Sequence, residues 1–207
     1  MKKITLSLLL GLMSLIGFSQ VGLVENFDSG VTLPTGWTSD VEDYSVSFVE
    51  NCDGRSVRAN LDATNTDAQL TSPNLVGQSN GSDLTIAFDY KIVDWSLAIT
   101  ETQPGWGEIL VQYSVNDGAT WLTVDTIDDS NHVTSNVCAN WSVVVPAADV
   151  PTGSDFKLRI NANWITTDAD VTYYLYLDNV SATQVVVDPP SCVNLLTPTN
   201  GSSGVSI

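Results

Sequence analysis

Positive charge is what this chain has least of. Its 207 residues include seven Lys and Arg, one His and two Met, against 24 Asp and Glu. A partner rich in phosphate needs cations to neutralise it, so this balance argues against nucleic acid and anionic membrane as partners. The single histidine, His132, leaves a Ser-His-Asp triad one candidate, in a segment with no nucleophile-elbow pattern around it. No His-Glu-x-x-His zinc signature occurs, and no compact cluster of acids suggests a glycosidase pair. The expectation is that the chain is not an enzyme. Long apolar runs are also scarce. One, Leu6 to Ile16, stands behind Lys2 and Lys3 and ahead of Gly17-Phe18-Ser19-Gln20. That is the layout of a secretory signal peptide over residues 1–20, with an apolar stretch too short for a comfortable membrane span. No second run long enough to insert in a membrane follows.

Removing residues 1–20 would leave five basic residues (Arg55, Arg58, Lys91, Lys157, Arg159) against 24 acidic ones, a net charge near −19. Helical spacing is missing beyond the signal. Period-two alternation replaces it: Leu84, Ile86, Phe88, Tyr90 and Ile92 share one face, and Ile109, Val111, Tyr113 and Val115 repeat the pattern. Phe156, Leu158, Ile160, Ala162 and Trp164 form a third row, Val171, Tyr173, Leu175 and Leu177 a fourth, and Trp141 to Val145 a shorter strand. Alternation of this kind puts one face on a core and the other in water, as in antiparallel sheets. Asn80-Gly81-Ser82, Asn116-Asp117-Gly118 and Pro151-Thr152-Gly153 supply turns between the strands. The fold class is all-β.

Two acidic-aromatic tags bracket the alternating region, Val24-Glu25-Asn26-Phe27-Asp28 and Tyr174-Leu175-Tyr176-Leu177-Asp178-Asn179-Val180. They imply one closed domain over residues 21–184 whose first and last strands meet. Residues 185–191, with paired prolines, read as a linker. Residues 192–207 read as the truncated start of another module, so covalently linked downstream domains are expected. Residues 94–107 and 125–140 are long connections, of the kind that carry function or mobility. Within Ser114–Trp121 the order Ser-x-Asn-x-Gly-x-Thr-Trp is similar to the Asp-box of sialidase propellers. It occurs once, where a propeller needs a copy in each blade, and so reads as a hairpin turn.

The three Cys are 52, 138 and 192. In an exported protein a pair can form a disulfide. Cys52 and Cys138 share the main domain and are the expected pair, the rival being a bridge to Cys192. Trp95 and Trp106 lie in the first long connection and are nominated as ligand-binding platforms, because the apolar faces of sugar rings stack on indoles. Core packing is the commoner fate of a tryptophan.

The order Phe27-Asp28, Leu33-Pro34-x-Gly36-Trp37, Leu70-Thr71-Ser72-Pro73, Leu84 to Tyr90, Gln112-Tyr113-Ser114, Gly118-x-Thr120-Trp121, Phe156 to Ile160 and Leu177-Asp178-Asn179-Val180 resembles the MAM-like jelly rolls of secreted bacterial surface proteins. These include the choice-of-anchor J and cleaved-adhesin groups, and the likeness covers about residues 23–184. The tail from Pro189 resembles the opening of a fibronectin type III or similar immunoglobulin-like module. The resemblance implies an antiparallel jelly-roll β-sandwich, secreted or at the cell surface, that serves without catalysis in adhesion or carbohydrate binding. Its partner would be a glycan or an extracellular protein. It also implies a structural calcium where the first strand meets the last, which maps to Glu25, Asp28 and Asp178. The alternative is a structural spacer, or an accessory domain of a secreted hydrolase whose catalytic part lies elsewhere. True MAM domains are richer in cysteine, so their receptor-type adhesion is not implied.

Overall fold

The computed structural model describes residues 20–40, 44–49, 51–94, 102, 104–165 and 172–186. The signal segment, Trp95, Val171, most of the linker and the C-terminal tail lie outside them. Eleven strands run β1 (Gly22–Glu25), β2 (Thr38–Ser39), β3 (Tyr44–Ser47), β4 (Ser56–Leu61), β5 (Asp67–Thr71), β6 (Leu84–Asp94), β7 (Glu108–Ser114), β8 (Leu122–Ile127), β9 (Ala139–Val145), β10 (Lys157–Asn163) and β11 (Tyr173–Gln184). They form two antiparallel sheets. Sheet A has the order β3-β4-β11-β6-β9, with β1 also on β11; sheet B has the order β2-β5-β10-β7-β8. The expected β-sandwich is present.

The alternating rows become the strands as read. On β10, Leu158, Ile160 and Ala162 are fully buried while Lys157, Arg159, Asn161 and Asn163 are half-exposed on the other face. Leu84, Ile86, Phe88, Tyr90 and Ile92 point inward from β6, and Leu175 and Leu177 from β11. Removing a large aliphatic side chain from water stabilises by about 1.5–3 kcal/mol, so these rows set the register of both sheets. A slip of one residue would turn Arg159 inward and Ile160 out.

Strand β11 explains the bracketing tags. Its first half pairs with β4 (Tyr173↔Leu61 to Leu177↔Val57) and its second half with β1 (Val180↔Glu25 to Thr183↔Gly22). The first and last strands do meet. The hand-over falls at an irregularity between Asp178 and Ser181, where Asn179 has φ of 48°. At the far end of β11, Gln184 fastens the chain: its Oε1 accepts from the N–H groups of Val21 and Asn80, and its Nε2 donates to the Ser82 carbonyl. Such buried polar atoms are tolerated because they are paired.

Cys52 and Cys138 are joined, with Cα atoms 5.4 Å apart. The bridge follows β3 on one side and precedes β9 on the other, and these are the two ends of the β3-to-β9 path. It therefore straps the outer face of the strands between, β4, β11 and β6. The Asp53 N–H beside Cys52 donates to Asp178 Oδ2 (3.1 Å), and Lys91 Nζ donates to the Asn136 carbonyl beside Cys138 (3.5 Å). The strap accounts for three outward residues being nearly inaccessible: Tyr176, Lys91 and Asp178.

Candidate functional site

Three regions gather polar chemistry: the junction of the tags, the outer face of sheet B, and the loop end where residues 102–107 meet residues 128–134.

At the junction, the carboxylates expected to hold calcium are engaged otherwise. Asp28 Oδ1 accepts from the Arg55 N–H (2.7 Å) and its Oδ2 from the Asn26 amide (3.1 Å). Asp178 accepts from the backbone N–H groups of Asn179 and Asp53 and from Ser56 Oγ. Glu25 Oε1 accepts from the Phe27 N–H (2.8 Å). Segment 53–55 thus runs between Asp28 and Asp178 and presents N–H donors to both. A cation of this kind takes six to eight oxygens, and among the described residues no group of three or more His, Cys, Asp or Glu side chains stands together as a ligand set. As placed, Glu25, Asp28 and Asp178 cap the loops around them. Burial, foremost, pushes the Asp178 carboxyl above its ordinary value; its three hydrogen bonds oppose that, and the nearby Asp28 charge adds to it.

The outer face of sheet B is different. The pairing Arg159↔Gln112 between β10 and β7, and Arg159↔Thr71 and Asn161↔Gln69 between β10 and β5, bring planar polar side chains into one layer. Arg159 Nε donates to Gln112 Oε1 (2.8 Å) and its Nη1 to Gln69 Oε1 (3.2 Å). Gln112 Nε2 donates to Thr123 Oγ1 on β8 (3.1 Å). One polar row therefore crosses four strands, from Gln69 on β5 to Thr123 on β8. The guanidinium lies 4.2 Å from the centroid of the half-buried Trp121, a cation–π arrangement. Partial burial lowers the Arg159 pKa while Asp40 opposes that shift.

Trp121 reaches this place through the β7–β8 hairpin. Ser114 Oγ accepts from the N–H groups of Asn116 and Gly118, and Asn116 Oδ1 accepts from the Thr120 N–H. Asp117 and Gly118 take φ of 59° and 83°. The last of these suits glycine, and an added Cβ would press on the Trp121 ring at 3.3 Å. The Ser-x-Asn-x-Gly-x-Thr-Trp segment is thus a hairpin, as read. Asp117 also pairs with Lys157 at 2.7 Å on the exposed rim.

At the loop end, Trp106 corrects one expectation. Nominated as an open platform, it is 0% exposed, its ring edge-on to Tyr173 (5.4 Å between centroids) and to His132 (5.4 Å). Gly105 and Gly107 flank it with φ of 83° and 138°, and an added Cβ on Gly107 would collide with the Asn163 carbonyl. These two glycines let the loop turn the indole inward, where an aromatic side chain gains most by burial. An open stacking platform there is excluded. Trp95, the other nominee, lies outside the described residues.

Sequence reading missed Gln69, Gln112, Arg159 and Trp121 as a group. The alternation marked Arg159 as facing water; only the register between strands reveals its neighbours.

No protein-family model matches the chain, and no curated protein matches it. Solved structures do. A carbohydrate-binding module of the β-sandwich superfamily superposes with a TM-score of 0.55 at 13% identity, over 77% of this chain and 61% of that one. A xylan-binding CBM22 domain from Paenibacillus barcinonensis gives 0.52 at 15%, over 79% and 99%. A cyclase from Fischerella sp. gives 0.53 at 11%, over 80% and 97%. The fold is shared. At these identities nothing further is, and the cyclase shows that this scaffold hosts more than one activity.

Proposed function

We propose that this chain is a non-catalytic glycan-binding module of an exported, cell-surface protein, and that it reads its ligand on the outer face of sheet B. The observation that carries this is the Gln69–Arg159–Gln112–Thr123 row lying beside Trp121. A neutral sugar offers hydroxyl groups that both donate and accept, together with an apolar ring face. Fixed planar amides and a guanidinium match the first; the indole matches the second. The row is already ordered by its own hydrogen bonds, so little side-chain entropy remains to be lost on binding. Arg159 is one of very few cations in an acidic chain, which makes a neutral ligand a better match than a polyanion.

Two likenesses support this reading, the β-sandwich carbohydrate-binding module and the xylan-binding domain. The MAM-like resemblance of the sequence points to the same class, and adhesion through surface glycans fits it. Among the described residues no helix is long and apolar enough to cross a membrane.

Affinity electrophoresis in gels containing soluble xylan, β-glucan, galactan or mannan tests the reading. The native chain is expected to be retarded by at least one polysaccharide, and Arg159→Ala and Gln112→Ala to be retarded markedly less by the same one. Equal mobility of the native chain in every gel would refute it.

A further inference from the structure

The loop end that buries Trp106 also holds hydrogen-bonding capacity that the protein leaves unused. Trp106 Nε1 and His132 Nε2 are both buried and have no hydrogen-bond partner among the described residues. A buried polar atom with no hydrogen bond is costly, so two in one place call for an explanation. Both rings line one cavity of about 80 Å³, with Thr102, Pro104, Asp129 and Thr134 completing its wall.

Tyr90 Oη accepts the Val133 N–H (3.2 Å) and stands 3.2 Å from His132 Nδ1. When the phenol donates to Nδ1, the proton of the neutral ring sits on Nε2. Burial, foremost, lowers the ring's pKa and so favours the neutral form, against the pull of Asp129. In that tautomer the cavity wall carries two N–H donors, Trp106 Nε1 and His132 Nε2, and one strong acceptor, the Asp129 carboxylate. Asp129 is held in place because its Oδ2 accepts the Gly105 N–H (2.5 Å). Asp128 fixes the turn below, its carboxylate taking the Ser130 N–H and its carbonyl the His132 N–H.

A group that accepts two hydrogen bonds and donates one is a hydroxyl. A carboxylate or phosphate ligand would meet Asp129 and a strongly acidic surface. At about 30 Å³ per water, the cavity holds two or three waters or a hydroxymethyl-sized group, and not a sugar ring. Beside it lies a wider recess of about 310 Å³, lined by Gly105, Gly107, Asp128, Ser130 and Ile165 and sharing Asp129 as a wall. Ile165 is 63% exposed and offers an apolar surface for a ring face.

We propose that this bipartite recess is a second binding site, one that takes the terminal residue of a neutral glycan, with a hydroxyl or hydroxymethyl group in the inner cavity and the ring over Ile165. The inner cavity is too small for a ring, so the glycan must end there rather than pass through. The choice of a sugar as the hydroxyl-bearing ligand rests on the glycan reading above, but the site is separate from the sheet B face.

Indole N–H signals in ¹⁵N–¹H NMR spectra distinguish the two. The Trp106 signal, assigned by its loss in Trp106→Phe, reports the recess, and the Trp121 signal reports the sheet face. The probes are methyl glycosides of glucose, galactose, mannose and xylose, then linear oligomers of the same sugars. The expected result is a saturable shift of the Trp106 signal with at least one methyl glycoside, weakened about tenfold or more in Asp129→Asn and unchanged in Arg159→Ala. Preserved dispersion of the remaining indole signals shows that each variant is folded, and His132→Asn serves if Asp129→Asn is not. A Trp121 shift with oligomers while the Trp106 signal stays still under every probe would overturn the terminal-residue site and leave the glycan reading standing. No shift of either signal would overturn both, with the inner cavity then holding water only.

Discussion

The two sheets share a core and differ on their outer faces. Sheet A is sealed. A disulfide runs over β4, β11 and β6, and beneath it Tyr176, Lys91 and Asp178 are nearly inaccessible, with Lys91 Nζ 5.1 Å from the Tyr176 ring centroid. Arg58 lies over the Tyr174 ring at 4.6 Å on the same side. Sheet B has no such strap among the described residues; in its polar row Gln112 is buried, while Gln69, Arg159 and the neighbouring Trp121 are partly exposed and Thr123 is exposed. Both faces place a cation on an aromatic ring, so composition does not separate them. What separates them is that a covalent strap closes part of one face, while on the other Gln69, Arg159 and Trp121 keep part of their surface in solvent.

The largest effect should come from opening the strap. Closing a loop of 86 residues is worth about 4–5 kcal/mol in the chain-entropy model. Cys52→Ser/Cys138→Ser should lose stability on that scale in denaturant titrations, and should expose Lys91 to amine-labelling reagents. Protection of Lys91 equal to that in the native chain would mean that the strap does not seal sheet A.

Next in size is the contrast between the faces in binding. Gln69→Ala or Gln112→Ala should each weaken glycan affinity about tenfold, a typical cost for one polar contact. Arg159→Lys should be nearly as damaging as Arg159→Ala, because an ammonium cannot reproduce the planar fork on Trp121. Arg58→Ala on sheet A should leave affinity unchanged, as calorimetry would show.

A smaller effect concerns pH. The folded-state pKa of Asp178 lies above its ordinary value of 3.8. Between that value and the raised one, the folded state holds a proton that the unfolded state has lost. The cost of ionised Asp178 is thus present at neutral pH and relieved as the pH falls through the raised value. The stability difference between the native chain and Asp178→Asn should therefore move in favour of the native chain on acidification. A difference that stays constant would contradict the buried, ionised carboxylate. Smallest of all is the expected effect of divalent cations: calcium or a chelator should leave the melting temperature unchanged, since the oxygens of Asp28 and Asp178 already face N–H donors.

How much of this could be read in advance follows from the range of each signal. The rows from Leu84 and from Phe156 were legible because alternation is local, and the meeting of β1 with β11 because both tags are acidic-aromatic and stand at the domain's ends. The Cys52–Cys138 pair was legible once Cys192 was set apart. Ser56–Leu61 was missed although Val57, Ala59 and Leu61 alternate with Arg58 and Asn60, because the row is only three residues long and one of them is an alanine. Trp106 was misplaced because a loop tryptophan carries no mark of which way it points; the flanking glycines, able to adopt positive φ, were the one available hint. The polar row was hidden because it depends on register between strands distant in sequence, which no local pattern encodes. The orphaned nitrogens of Trp106 and His132 are likewise a property of packing.

The most direct test is a chemical-shift map of the chain titrated with the neutral oligosaccharide it binds best. The account predicts that the side-chain amides of Gln69 and Gln112 and the indole of Trp121 move together on sheet B, while the Asn60 amide on sheet A stays fixed. Shifts confined to sheet A, or binding that leaves the sheet B row unmoved, would contradict it.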